Sequence, residues 1–183
     1  YFTTYPNNLA VCMFLGGIFR VFGRFCSYIT LGVLLNVSLL VLGLFFAWML
    51  VKQLYGMRWA ALALLLGALF LPFYMHSPIF YTDTFALPFV TGTLLSYQLR
   101  KRDGRFLVLT GVVLAAGYKI KGSLGVLLIA LLIHIWLCKE KAGERIKRSL
   151  FLLLPFLLLV GFLTVVPARF SGLSAEESEK NEF

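Results

Sequence analysis

The chain has 183 residues, of which 60% are hydrophobic, 16% aromatic and 14% charged, and its formal net charge is +9. A water-soluble domain needs about 25% charged residues to cover its surface. This composition, with a mean hydropathy of +0.89, therefore excludes an ordinary soluble globule and makes lipid the natural solvent. The positive charge does not indicate nucleic acid. The cations stand in short loops between apolar runs, as in Arg100-Lys101-Arg102 and Arg145-Ile146-Lys147-Arg148, which is the pattern of cytoplasmic loops in a membrane protein rather than of a basic groove.

In chain order, residues 9–21 form the first apolar run. It is shorter than the ~20 residues a span needs. It reads as a juxtamembrane helix on the outer face, with Arg20 and Arg24 at headgroup level, and a true span stays open. Residues 29–51 form a long, nearly uncharged run, and residues 59–75, 84–99, 106–118, 122–138 and 150–166 follow. Reading 106–138 as one helix would bury Lys119 and Lys121 at mid-depth, so a hairpin is the better reading. The fold class expected is all-α: a polytopic integral membrane protein of about six transmembrane helices plus one juxtamembrane helix. Residues 1–170 make the transmembrane domain, and residues 171–183 are a polar, acidic tail or the start of a further loop. The chain begins with Tyr1 and shows no signal peptide, which predicts a fragment of a longer protein.

Charge sets the orientation. With Lys52 and Arg58, the loop from Arg100 to Arg105, and the loop from Lys139 to Arg148 placed inside, eleven of the 17 Lys and Arg are cytoplasmic. The stretch His76 to Asp83 and the turn Lys119 to Ser123 are then outside. Cys12, Cys26 and Cys138 lie in or beside apolar runs, with no CxxC or metal-ligand spacing, and read as small hydrophobes.

Polar groups at membrane depth are costly and need a reason. Asp83, in His76-Ser77-Pro78-Ile79-Phe80-Tyr81-Thr82-Asp83, can be a helix N-cap. It can also be a carboxylate facing an outer polar cavity, joined by Tyr81 and His76. Lys119 and Lys121, in Gly117-Tyr118-Lys119-Ile120-Lys121-Gly122-Ser123, can snorkel at a helix end or bind phosphate, aided by the glycines. On a helix, side chains two apart point about 200° apart, so at most one lysine faces such a pocket. Tyr5-Pro6-Asn7-Asn8 is a turn and cap or a polar shelf near a lipid headgroup. The sequence has no Walker A loop, HExxH or GxSxG, and no two glycines lie four apart, so the usual helix-pairing signal is missing.

The order of features resembles a known family. A Pro-containing polar start precedes a short helix ending near Phe22-Gly23, and a long helix ends Val51-Lys52-Gln53-Leu54-Tyr55-Gly56. Then come Arg58-Trp59-Ala60-Ala61-Leu62-Ala63, Pro72-Phe73-Tyr74 and Tyr81-Thr82-Asp83. From residue 1 to about residue 138 this is similar to bacterial GT-C membrane glycosyltransferases related to protein O-mannosyltransferases and lipid A aminoarabinose transferase. Tyr5-Pro6-Asn7-Asn8 and Gly117-Tyr118-Lys119-Ile120-Lys121 look like a Gram-positive branch of family 39-type enzymes.

The resemblance implies an inverting hexosyltransferase of the bacterial plasma membrane. It takes a sugar from a polyprenyl-phosphate donor to a glycan, lipid or protein acceptor on the extracytoplasmic face. It implies no resident cofactor, with a divalent cation left open. The family's catalytic base lies in a first external loop, which would precede Tyr1. Asp83 matches a second acidic position, and Lys119 or Lys121 the basic contacts to the donor phosphate. Tyr-Pro-Asn stands where many relatives have Lys-Pro-Pro, and Gly122-Ser123 where Pro-Thr is expected. The rival readings are a lipid-linked glycan flippase or other transporter, which needs broken helices and ionisable residues on a central path, and a non-catalytic membrane scaffold.

Overall fold

The computed structural model of the chain describes residues 9–76, 82–100, 103–139 and 141–170, with the side chains of all these except 9–11, 74, 76 and 167–170. The described residues are helical, with no strand. The elements are α1 (Leu9–Phe22), α2 (Tyr28–Tyr55), α3 (Met57–Ala68), α4 (Leu71–His76), α5 (Thr82–Leu99), α6 (Phe106–Ile120), a 3-10 turn (Gly122–Leu124), α7 (Gly125–Leu137) and α8 (Ala142–Phe170).

Local chemistry sets several boundaries. The Ser27 hydroxyl accepts from the Thr30 amide at 3.2 Å and caps α2. At the other end Gly56 adopts φ 91° and sends its N–H back to the Lys52 carbonyl at 3.0 Å. That left-handed turn, open to a residue without a Cβ, folds α3 back along α2. The run expected as one helix over residues 59–75 is broken at Leu69–Phe70 into α3 and α4. Pro72 has no N–H to continue the ladder and its ring opposes the carbonyl four residues back. It is accepted instead in the first turn of α4. The stretch Lys139 to Arg148, expected as a loop, is corrected too: α8 begins at Ala142 and runs through Arg145, Lys147 and Arg148, since Glu, Arg and Lys are strong helix formers.

Packing is centred on α5 and α6. Both are flanked, α5 by α2 and α6 by α8. Helix α2 turns a narrow stripe of Gly32, Asn36, Leu40 and Gly43 inward. Helix α5 buries Thr84, Ala86, Gly92, Thr93 and Ser96, among others, and α6 buries Thr110, Gly111, Ala115 and Gly117. The interior is thus rich in small and hydroxylated residues. Leu34, Val41, Phe45, Leu65, Ile129, Leu157 and Phe162 face outward. In water this arrangement would expose the hydrophobes. In a bilayer it is the expected one, because close backbone approach rather than oil-drop burial holds membrane helices together.

Two prolines inside helices meet lone glycines of a neighbour: Pro88 of α5 lies against Gly43 of α2, and Pro155 of α8 against Gly111 of α6. A Cβ at Gly43 would first meet the Leu87 side chain, and one at Gly111 the Leu152 carbonyl oxygen and the Pro155 ring, so each glycine lets the neighbouring helix approach closely.

The register fixes which ends share a side. Asp83 at the start of α5 meets Lys121 just after α6. At the opposite end the Tyr97 hydroxyl lies 2.7 Å from His134 Nδ1 of α7. The Thr110 hydroxyl there is 3.0 Å from Ser96 Oγ. Helix α2 runs parallel to α5, with Gly43 opposite Leu87 and Phe46 opposite Gly92.

By length and composition α2 and residues 142–166 of α8 are long and apolar enough to cross a membrane, while α3, α6 and α7 are shorter apolar helices. The described residues thus form an all-helical fold with two candidate membrane spans and several shorter apolar helices.

Candidate functional site

The site lies at the end of the bundle where α5 starts and α6 finishes. Two antiparallel helices bring opposite partial charges to one place there: the positive N-terminus of α5 and the negative C-terminus of α6. Asp83 stands in the first turn of α5 and Lys119 in the last turn of α6, so each charge complements its own helix end. The position of Asp83 in that first turn, where its charge meets the helix dipole, is as expected of either of its two readings.

Lys121 is the residue that ends α6. Its backbone is extended, with φ −144° and ψ 109°, and its amide bonds to the Gly117 carbonyl at 2.8 Å. Released from the helix, its side chain turns to Asp83, and Nζ pairs with Oδ1. What allows the approach is Gly117. It lies between the Phe89 Cβ and the Leu124 side chain, with no room for a Cβ of its own. The end of α6 is therefore pressed onto the start of α5. Gly122 follows in open space, so the turn after the lysine stays accessible.

Lys119 points elsewhere. It lines a cavity of about 200 Å³ with Phe14, Phe85, Phe89, Ala116, Ile120 and Leu163. The walls come from α1, α5, α6 and α8, and Lys119 is the one charged residue among them. One cation in an apolar recess suits an amphiphile with a negative head and a hydrocarbon tail. The two lysines thus divide the work that the sequence left open between them. Lys121 joins the carboxylate and Lys119 faces the recess.

Of the other residues expected in the site, Tyr5, Asn7, Asn8 and Tyr81 lie outside the described residues, as does the side chain of His76. Helix α4 ends at His76, which places that position's backbone but not its imidazole. The aromatic wall was not foreseen. Phe85 and Phe89 are four apart on α5 and so share a face, which is the one sequence signal that could have found them. Among the described residues no three His, Cys, Asp or Glu side chains converge.

A family model described as dolichyl-phosphate-mannose-protein mannosyltransferase matches residues 9–167. No curated protein sequence matches the chain, and no solved structure does.

Proposed function

The chain belongs to the dolichyl-phosphate-mannose-protein mannosyltransferase family, membrane glycosyltransferases of the GT-C type, and from that membership we propose that it carries the donor-binding part of such an enzyme in a bacterial plasma membrane. The donor is a sugar on a polyprenyl phosphate and the acceptor lies on the extracytoplasmic face. Six spans with α1 as a juxtamembrane helix complete the reading.

The observation that carries it is the placement of Lys119 in an apolar recess next to the Asp83–Lys121 pair. A polyprenyl phosphate has the same two-part chemistry. Its tail suits Phe14, Phe85, Phe89 and Leu163, and its phosphate suits the ammonium of Lys119. In transfer the bond from the sugar's anomeric carbon to the phosphate oxygen breaks, and the leaving phosphate gains charge. A fixed cation stabilises that charge more in the transition state than in the ground state. The acceptor hydroxyl attacks from the opposite face and loses its proton to a base. Asp83, held by Lys121, positions the acceptor or the donor beside it.

A transporter would claim the break at Leu69–Phe70. Residues 59–75 carry no charged side chain, however, so that break offers no ionisable group for a central path.

The test is transfer from a radiolabelled polyprenyl-phosphate sugar by the full-length protein, alongside binding of polyprenyl phosphate itself. A charge-assisted contact is worth roughly 1.5–3 kcal/mol, so Lys119→Ala should weaken binding about tenfold or more. Unchanged binding in both Lys119→Ala and Lys121→Ala, with normal insertion, would leave the lysines as anchors only. Movement of the lipid-linked sugar across the bilayer without transfer would support the transporter instead.

A further inference from the structure

The end of the bundle opposite Asp83 carries features that sugar transfer does not use. All 3 tryptophans of the chain gather there. Trp48 is near the end of α2, Trp59 near the start of α3 and Trp136 near the end of α7. Trp59 and Trp136 are 61% and 52% exposed, and Lys52 Nζ lies 4.9 Å over the Trp48 ring. Exposed tryptophan on an apolar bundle collects at the boundary between hydrocarbon and headgroups. The headgroup plane therefore passes through this end.

Helix α8 crosses that plane. Its 29 residues extend about 44 Å, well beyond the ~30 Å of hydrocarbon. Its uncharged part begins at Ser149, so the two turns before it project into the headgroup layer. Those turns hold Arg145, Lys147 and Arg148 and follow Lys139 and Lys141, against the two acids Glu140 and Glu144.

This placement leaves two unfavourable terms within the chain. Cations in the first turns of a helix oppose its dipole. The Arg145 Nε is buried and finds no hydrogen-bond partner among the described residues, and an unmade bond to a buried donor is destabilising. An anion supplied from the headgroup layer relieves the first of these by neutralising the exposed cations of the turn, Lys141 and Lys147.

We propose that the α8 start is a docking surface for anionic phospholipid in the leaflet at this end of the bundle. Lys141 and Lys147, both exposed, donate to the lipid phosphodiester. Arg145 and Arg148, half-buried beside them, add to the surrounding field, and Trp59 and Trp136 hold the level.

The experiment compares the full-length protein in nanodiscs of phosphatidylcholine alone and of phosphatidylcholine mixed with phosphatidylglycerol. The readouts are the melting temperature and the phospholipid retained in native mass spectrometry. Phosphatidylglycerol should raise the melting temperature of the wild type and of an Arg20→Gln/Arg24→Gln control. Its affinity should fall about fivefold for each cation removed, so Lys141→Gln/Arg145→Gln/Lys147→Gln/Arg148→Gln should show almost no response. Comparing the two membranes within each variant separates this loss from any general instability. An equal phosphatidylglycerol response in that variant, or none in the wild type, would overturn the proposal. So would the same stabilisation from inorganic phosphate added to the phosphatidylcholine discs, since it would assign the site to a soluble anion.

Discussion

Asp83 and Lys121 form an ion pair between the first turn of α5 and the residue that ends α6. The side chains are 49% and 32% exposed, and an ion pair so accessible adds at most about 1 kcal/mol to stability. A large functional loss on breaking it would therefore not be a folding effect. In the full-length enzyme Asp83→Asn should lower sugar transfer at least tenfold while the melting temperature moves by only a few degrees. Asn keeps the shape and is itself tolerated near a helix start. Asp83→Lys/Lys121→Asp restores a pair but opposes both helix dipoles, and should recover neither stability nor transfer in full. Wild-type rates in purified Asp83→Asn would refute the role assigned to the carboxylate.

Lys119 and Lys121 should be separable. Lys119 faces the apolar recess, so Lys119→Ala should raise the donor's Kd about tenfold, the lower end of a charge-assisted contact. Lys119→Arg keeps the charge and should retain most of the affinity. Lys121→Ala should act chiefly on turnover, because its partner is Asp83. Titration of polyprenyl phosphate against each purified variant, with rates measured at saturating donor, distinguishes the two patterns.

Gly111 is the position where α6 meets the backbone of α8 at Leu152 and the ring of Pro155. A methyl group there must push two helices apart, and overpacking of this kind costs about 1–3 kcal/mol. Gly111→Ala should lower the melting temperature in detergent. Gly122→Ala, in open space, should leave it within error. Equal effects at the two sites would contradict the packing described.

Much of this was legible in the sequence because lipid imposes simple rules. Apolar runs became helices, and the two segments singled out for chemistry, around Asp83 and around Lys121, meet at one end of the bundle. What was not legible depended on neighbours. No two glycines lie four apart, yet Gly43 meets Leu87 and the Pro88 nitrogen and Gly111 meets Leu152 and the Pro155 ring, relationships between distant residues that spacing within one helix cannot reveal. Side chains two apart diverge by about 200° only where both residues belong to one helix. Lys121 has left the helix, so its direction follows the turn. The charged residues after Lys139 read as a loop because clustered charge marks a membrane boundary, but Glu, Arg and Lys are strong helix formers, and Arg145 to Arg148 are part of α8.

The orientation of the bundle yields the last prediction. Its ends are distinguished by charge: eleven of the 17 Lys and Arg fall on the segments assigned to the cytoplasm, and cytoplasmic loops retain the excess of cations. The structure adds that Asp83, Lys119 and Lys121 share one end, while Tyr97 and His134 meet at the other, where α8 begins. One measurement at each end therefore orients the whole bundle. With Cys12, Cys26 and Cys138 replaced by serine, a cysteine at position 122 should react with a membrane-impermeant maleimide in intact cells. Gly122 is exposed and has open space around it, so Gly122→Cys should not disturb the fold. Lys141→Cys should react only after the membrane is permeabilised. Labelling of position 122 solely from the cytoplasmic side would invert the bundle. The Asp83–Lys121 pair would then lie on the face away from an extracytoplasmic acceptor, and the proposed direction of transfer would fail with it.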